Sequence, residues 1–216
     1  MKKFAVILCG CGCTDGSEIH ESVMTLLAID RQGCSYEIFA PDDDQYHVVN
    51  HYTGQVTNER RNMLVEAARI ARGNIRPLSQ CNVDEYDAIV FPGGFGAAKS
   101  LFTYAFEGAN CTVREDVATL VRAFHAKRKP IGALCIAPVM IAKVLGDVNI
   151  TVGTNESTIA DVCAFGATHT VTQHTEAVAD SKNLVFSTPC YMLPARISDI
   201  ADCADHLIQK ILEHLQ

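Results

Sequence analysis

Residues 131–138 read Ile-Gly-Ala-Leu-Cys-Ile-Ala-Pro, and this stretch decides the fold class. The apolar run Ile131–Leu134 predicts a buried strand that leads directly into Cys135. Pro138 suits the first turn of a helix, so the thiol falls where a strand meets a helix. There it would point out of the sheet near the positive end of the helix, and both effects favour the thiolate. The stretch therefore predicts a cysteine nucleophile, with a buried structural cysteine as the simpler alternative.

The same alternation of short apolar runs and helical periods extends in both directions along the chain. Strands are predicted at residues 4–9, 36–40 and 88–91, with weaker signals at 150–152 and 184–187. Four further helices are predicted. The first follows an N-cap at Ser17, and the second runs through Met63 and stops at Gly73. The third follows a capping box at Thr112 and Glu115, and the last runs from Pro194 through Leu215. This alternation predicts one α/β domain over residues 1–216, with a mostly parallel sheet and helices on both faces.

Composition excludes several classes of protein. The 216 residues are 48% hydrophobic and 20% charged, which is typical of a globular domain. The net charge is −7 and no basic run offers a phosphate-binding stripe, so we expect no nucleic-acid partner. No apolar run is long enough for a membrane helix, and the run after Lys3 is broken at Gly10, which favours a core strand over a signal peptide. Ten scattered cysteines suggest reduced thiols in a cytoplasmic protein.

Glycine-rich loops follow the first and third predicted strands, at the sheet edge where α/β proteins place their sites. Residues 92–96 read Pro-Gly-Gly-Phe-Gly, and glycines there let backbone N–H groups approach a ligand as an oxyanion hole would; a plain tight turn is equally compatible. The loop from Gly10 to Gly16 imitates a dinucleotide fingerprint with its third glycine one place late. Ala98 replaces the second glycine of a phosphate loop. We therefore expect no nucleotide cofactor.

Other polar groups give weaker signals. Cys9, Cys11 and Cys13 alternate and would share one face of a strand, but no second cluster completes four zinc ligands. His47 and His51 are spaced as one helical turn without an adjacent glutamate motif, so we expect no metal site. Glu18 and His20 fall in the first turn of the first helix, beside the loops where Cys135 should emerge. Glu18 either accompanies the helix dipole or hydrogen-bonds the sulfur and moves a proton.

Several segments together resemble the ElbB-like proteins, the isoprenoid-biosynthesis glyoxalase group of the PfpI and class I glutamine amidotransferase-like superfamily. They are residues 7–12 (ILCGCG), 15–21 (DGSEIHE), 91–99 (FPGGFGAAK) and 135–138 (CIAP). The likeness continues through residues 61–62, 67–73 and 188–192, and so spans nearly the whole chain. It implies a flavodoxin-like three-layer sandwich with a nucleophile elbow at Cys135.

The resemblance also implies a chemistry. Glu18 would pair with the Cys135 thiol, and the backbone N–H groups of Gly94 and Ile136 would form an oxyanion hole, with Gly93 supporting the turn. The expected activity is a cofactor-independent glyoxalase that converts glyoxal or a related 2-oxoaldehyde to a 2-hydroxy acid. The thiolate would attack the aldehyde to give a hemithioacetal. Glu18 and a histidine would then move protons, and His20 is the candidate for that histidine. Water would finally hydrolyse the resulting thioester. By analogy with the superfamily we expect a homodimer.

Two other functions remain open from the sequence. The first is a non-enzymatic redox-sensing or binding protein on the same scaffold, because a reactive thiol beside an acid oxidises readily. The second is an amidotransferase subunit. The segment after Gly153 shows no His-x-Asp or His-x-Glu pair at the amidotransferase position, so a Cys-His-Glu glutaminase triad is the least favoured.

Overall fold

A seven-stranded sheet forms the centre of the protein in the computed structural model, which describes residues 1–215. The eleven strands within residues 1–215 are β1 (Lys3–Ile7), β2 (Ser35–Ala40), β3 (Val49–Asn50), β4 (Gln55–Val56), β5 (Arg76–Pro77), β6 (Ala88–Phe91), β7 (Ile131–Leu134), β8 (Asn149–Ile150), β9 (Thr168–His169), β10 (Val178–Asp180) and β11 (Val185–Thr188). The central sheet has the order β10-β11-β7-β6-β1-β2-β5. All of its pairings are parallel except that of β10 with β11.

The helices cover both faces of this sheet. They are α1 (Ile19–Arg31), α2 (Met63–Ile70), α3 (Ala97–Ser100), α4 (Tyr104–Glu107), α5 (Glu115–Ala126), α6 (Ala137–Leu145), α7 (Glu156–Ala164) and α8 (Ile197–Glu213). Every residue of β6 and β7 is buried although successive side chains point to opposite faces, so neither face is open to solvent. The prediction of an α/β sandwich with a mostly parallel sheet is confirmed.

The largest helices pack in pairs. α1 lies against α8, and α5 against α6. Gly132 in β7 allows α8 to approach, since a Cβ there would lie 2.8 Å from Cδ1 of Ile211. Two small two-stranded sheets, β3–β4 and β8–β9, flank the main sheet. Within residues 1–215, no helix combines the length and the apolar character that crossing a bilayer requires.

The sequence predicted the starts of the helices less accurately than it predicted the strands. The N-cap of α1 is Glu18, whereas Ser17 accepts a hydrogen bond from the Cys9 N–H at 2.9 Å. The predicted capping box at Thr112 is wrong, because Thr112 is tied to Thr103 in an extended segment and α5 begins at Glu115. The last helix begins at Ile197 rather than at Pro194. Ser17 and Thr112 are held by these non-local hydrogen bonds, whereas α8 starts where the Asp199 side chain accepts the Arg196 N–H.

Candidate active site

Cys135 lies between β7 and α6, where the sequence predicted the nucleophile. Its φ is +60°, in the left-handed region that non-glycine residues rarely adopt, and its N–H donates to the Thr188 carbonyl at 3.0 Å. Such strain persists only where the surrounding structure enforces it, and it is typical of functional sites. The turn directs the sulfur into the loops at the carboxyl ends of β1 and β6. The sharp strand-to-helix turn therefore has the form of a nucleophile elbow.

The acid beside the thiol is Glu21, one turn further into α1 than the predicted Glu18. The Glu21 side chain is fully buried and interacts with the Cys135 thiol. Its Oε2 accepts a hydrogen bond from the Gly93 N–H at 2.9 Å. Its Oε1 is buried and has no hydrogen-bond partner within the described part of the chain. One carboxyl oxygen is thus fixed by the glycine loop, and the other is left without a bond of its own.

Glu18 has a different position and a different task. As the N-cap of α1, it accepts the Glu21 backbone N–H on Oε2 at 2.7 Å, while its own N–H donates to the Gly93 carbonyl at 3.0 Å. The Glu18 side chain also lines the cavity above Cys135. With Glu18 as the cap, Glu21 lies three places on, in the first turn of α1, and its side chain is fully buried.

Burial determines the protonation of the pair. Removal from water, with Glu18 nearby, raises the pKa of the Glu21 carboxyl to about 8. Burial also raises the pKa of the Cys135 thiol well above its usual value, and the neighbouring Glu21 adds to the effect. The sequence predicted that the helix N-terminus would favour a thiolate. The structure reverses this, since loss of solvation outweighs the helix and the backbone N–H groups, and the resting residue is a thiol.

The two backbone groups predicted for an oxyanion hole are the N–H groups of Gly94 and Ile136. Both lower the pKa of the Cys135 thiol by hydrogen bonding, although burial has the larger and opposite effect. Gly94 has a φ of +109°, and a Cβ on it would lie 2.4 Å from the Glu18 nitrogen. At Gly93 a Cβ would lie 2.6 Å from that of Cys135. Only glycines allow this loop to lie so close to both α1 and the thiol.

A cavity of about 790 Å³ opens above Cys135. Both Glu18 and His20 line it, so the structure brings these predicted residues to the site. His20 is exposed, and its Nδ1 lies 2.7 Å from the Tyr191 hydroxyl. Tyr191 reaches the cavity from the short helical turn after β11, and sequence reasoning missed it as a functional residue. The full lining is Cys13, Glu18, His20, Gly94, Phe95, Tyr104, Ala105, Phe106, Gly108, Cys135, Ile136, Asn155, Ser157, Thr158, Tyr191 and Met192.

Of the other sequence candidates, Cys13 lines the cavity, whereas Cys9, Cys11, His47 and His51 do not. β1 ends at Ile7, so the alternating cysteines sit in a loop, where Cys9 is buried and Cys13 is exposed. His47 and His51 do not share a helix, and His51 lies 3.0 Å from the Thr14 hydroxyl. Over residues 1–215, no group of three or more His, Cys, Asp or Glu side chains could hold a metal ion.

Similar proteins correct one expectation. The chain is 43% identical to the "ES1 protein homolog, mitochondrial" of Rattus norvegicus over 98% of this chain and 83% of that protein. It is also 43% identical to "Glutamine amidotransferase-like class 1 domain-containing protein 3, mitochondrial" of Homo sapiens, over 98% of this chain and 82% of that one. Both relatives are named as mitochondrial, which conflicts with a plain cytoplasmic location. The expectation of a cytoplasmic protein, drawn from reduced cysteines alone, is therefore wrong.

Structure and family comparisons agree with each other. The fold matches an isoprenoid biosynthesis protein with an amidotransferase-like domain from Ehrlichia chaffeensis with a TM-score of 0.94, at 34% identity and over the full length of both chains. DJ-1beta of Drosophila melanogaster shares the fold, with a TM-score of 0.56 at 15% identity. The model of the DJ-1/PfpI family matches residues 7–194, which include Glu21, the glycine loop and Cys135. The resemblance noted in the sequence is confirmed, and the chain belongs to the DJ-1/PfpI family.

Proposed function

We propose that this protein is a cofactor-independent glyoxalase-like enzyme that converts 2-oxoaldehydes to 2-hydroxy acids with Cys135 as the nucleophile. The observation that carries the proposal is the arrangement around the sulfur. A strained, buried cysteine lies beside a carboxyl of raised pKa and two backbone donors, at the base of an open cavity. A nucleophile, a proton acceptor and an oxyanion hole are the parts that attack on a carbonyl requires.

The first step follows from the protonation of the pair. Because Cys135 rests as a thiol, its proton must leave as sulfur attacks the aldehyde carbon. Glu21 in its carboxylate form accepts that proton, and its pKa of about 8 places it near the pH at which general bases act well. The S–C bond forms while the carbonyl π pair moves to oxygen. The Gly94 and Ile136 N–H groups then stabilise the oxyanion of the hemithioacetal.

The second step is an internal redox exchange that needs no external oxidant. A proton leaves the former aldehyde carbon, the electron pair forms an enediol, and a proton returns to the neighbouring carbon. The first carbon is thereby oxidised to a thioester and the second reduced to an alcohol. His20 and Tyr191, hydrogen-bonded in the cavity wall, are the groups we assign to these transfers. Water then hydrolyses the thioester, releasing the 2-hydroxy acid and restoring the thiol.

The decisive experiment compares methylglyoxal turnover by the wild type and Cys135→Ala, with Cys163→Ala as a thiol control. Cys163 is exposed on α7 and does not line the cavity. We expect lactate formation to fall to background in Cys135→Ala and to stay at the wild-type rate in Cys163→Ala. Equal lactate formation by wild type and Cys135→Ala would contradict the proposal.

The redox-sensing alternative has less support from the site. Peroxides oxidise the thiolate, and burial keeps Cys135 protonated. Selective oxidation of Cys135 by mild peroxide, seen by mass spectrometry without aldehyde turnover, would favour it nonetheless. Glutamine hydrolysis has less support still, because His20 is the only imidazole among the described residues that line the cavity, and it comes from α1 and is hydrogen-bonded to Tyr191.

A further inference from the structure

The cavity above Cys135 is much larger than the simplest 2-oxoaldehyde needs. Its volume of about 790 Å³ falls in the range of about 300–1,000 Å³ that is typical of sites for drug-sized ligands. Glyoxal has no substituent on either carbonyl and would leave most of this space to water. The size of the cavity therefore indicates a substrate with a bulky group attached to its reacting carbons.

The wall facing that space is mostly apolar. Aromatic and aliphatic side chains supply it, namely Phe95, Tyr104, Phe106, Ile136, Tyr191 and Met192. Phe95 is 51% exposed and Phe106 is 46% exposed, so two large apolar rings at the cavity remain in contact with water. Folding gains nothing from leaving these rings uncovered, whereas an apolar ligand between them would remove that surface from water.

Phe106 is held in place from behind. Its ring centroid lies 4.3 Å from that of Tyr46 and 5.8 Å from that of His47, on the segment before β3. The Tyr46 backbone is fixed in turn, because its N–H donates to the Ser100 hydroxyl at 3.1 Å. Phe106 is therefore a positioned part of the wall, as a specificity surface requires.

The charge of the cavity selects against anionic substituents. Among the lining residues that the structure describes there is no Lys or Arg, and the acid Glu18 is present. The ammonium of Lys99, next to the Phe95 ring, is bound to the Thr14 carbonyl at 2.8 Å. A phosphate or a carboxylate on the substrate would meet the acid Glu18 and no Lys or Arg among the described lining residues, while the Lys99 ammonium is already bound to the Thr14 carbonyl. A neutral substituent suits the wall better.

We propose that the substrate is a neutral 2-oxoaldehyde whose ketone carbon carries an aromatic or bulky apolar group. That group lies against Phe95 and Phe106 while the aldehyde carbon sits at Cys135. This inference rests on the proposed glyoxalase function for the chemistry, and on the cavity wall for the choice of substrate.

The test measures kcat/KM for glyoxal, phenylglyoxal and 4-carboxyphenylglyoxal in the wild type, Phe106→Ala and Tyr52→Ala. Tyr52 is an exposed aromatic residue outside the cavity and serves as the matched control. We expect wild-type kcat/KM to be about tenfold higher for phenylglyoxal than for glyoxal, with the carboxylated compound well below phenylglyoxal. In Phe106→Ala the phenylglyoxal value should fall about tenfold through KM, and by more than the glyoxal value falls, whereas Tyr52→Ala should keep the wild-type values for all three compounds. The comparison of Phe106→Ala with the wild type decides the test, because intrinsic aldehyde reactivity cancels when one compound is compared between variants.

The outcomes separate this inference from the proposed function. If glyoxal is turned over but phenylglyoxal has no advantage that depends on Phe106, or if the carboxylated compound is preferred, the inference is wrong and the glyoxalase proposal stands. If no aldehyde is turned over, the proposed function fails. Acetophenone, which has no aldehyde to react, then tests the wall alone through the rate of Cys135 alkylation by iodoacetamide. If acetophenone slows Cys135 alkylation in the wild type but not in Phe106→Ala, the wall binds an apolar ligand. If acetophenone changes the alkylation rate equally in the two proteins, the inference is overturned.

Discussion

Cys135 and Cys203 are both buried thiols, yet their surroundings shift their pKa values in opposite directions. At Cys135, burial and the adjacent Glu21 raise the pKa well above its usual value. At Cys203, on α8, hydrogen bonding from the neighbouring Cys190 outweighs burial and lowers the pKa to about 7. By ionisation alone, Cys203 would be the better nucleophile.

Cys135 is nevertheless the better placed nucleophile, because it is accessible to substrate and has a carboxyl group beside it. Cys203 has no exposed surface and does not line the cavity, and its sulfur bonds to the His174 carbonyl at 3.7 Å. Cys135 opens onto the cavity and has beside it a carboxyl that can take its proton. A low pKa without access yields a structural thiol. A high pKa beside a base yields a nucleophile that is activated only when substrate is present.

The largest effect expected from this comparison is the protection of Cys203. Although the pKa of Cys203 is lowered, iodoacetamide should alkylate it in the native protein at least about 10³-fold more slowly than in the unfolded chain, because reaction requires opening of the structure. Peptide mapping by mass spectrometry at pH 7.5 measures this, with exposed Cys163 as the internal reference. Labelling of native Cys203 at the rate of Cys163 would show that access does not separate the two thiols.

Glu21→Gln removes the base from the reactive site. Turnover of methylglyoxal by the wild type should rise with pH and level off above about 8, as Glu21 becomes ionised and able to accept the thiol proton. The variant should lose about 10²-fold in kcat/KM and also lose this pH dependence. Glu18→Gln, a change of the same kind three residues away, should retain the rise. An unchanged pH profile in Glu21→Gln would mean that another group deprotonates Cys135.

The same carboxyl makes stability depend on pH. The pKa of Glu21 is raised on folding from about 4.5 to about 8, so the unfolded chain loses this proton at lower pH than the native protein does. Its favourable contribution is complete below about pH 4.5 and is lost as pH rises through about 8. Urea unfolding should show the wild type losing about 3 to 4 kcal/mol relative to Glu21→Gln between pH 5 and pH 8. A constant difference between the two proteins would show that Glu21 is not perturbed.

The sequence predicted the position of the nucleophile and of the glycine loop, but not which glutamate lies beside the thiol. The strand into Cys135 and the glycine loop after β6 follow from local apolar runs and turn residues, and the structure places both as expected. The choice between Glu18 and Glu21 depends on where α1 begins. A hydrogen bond between Ser17 and Cys9 moved that start by one residue, and only the tertiary structure contains this bond. The antiparallel edge strand β10 gave no usable signal because it has three residues.

The smallest effect expected is that of Glu18→Ala, which separates helix capping from chemistry. Glu18 holds the first turn of α1 through the Glu21 N–H, and loss of an N-cap costs about 1 kcal/mol of unfolding free energy. The carboxyl of Glu21 stays buried against Gly93 in the variant, so turnover should fall by no more than a few-fold. Urea unfolding and methylglyoxal kinetics on one preparation measure both quantities. Loss of activity as large as in Glu21→Gln, at an unfolding free energy within about 1 kcal/mol of the wild type, would return the proton transfer to Glu18. The two carboxyls of one helical turn would then have exchanged the roles assigned to them.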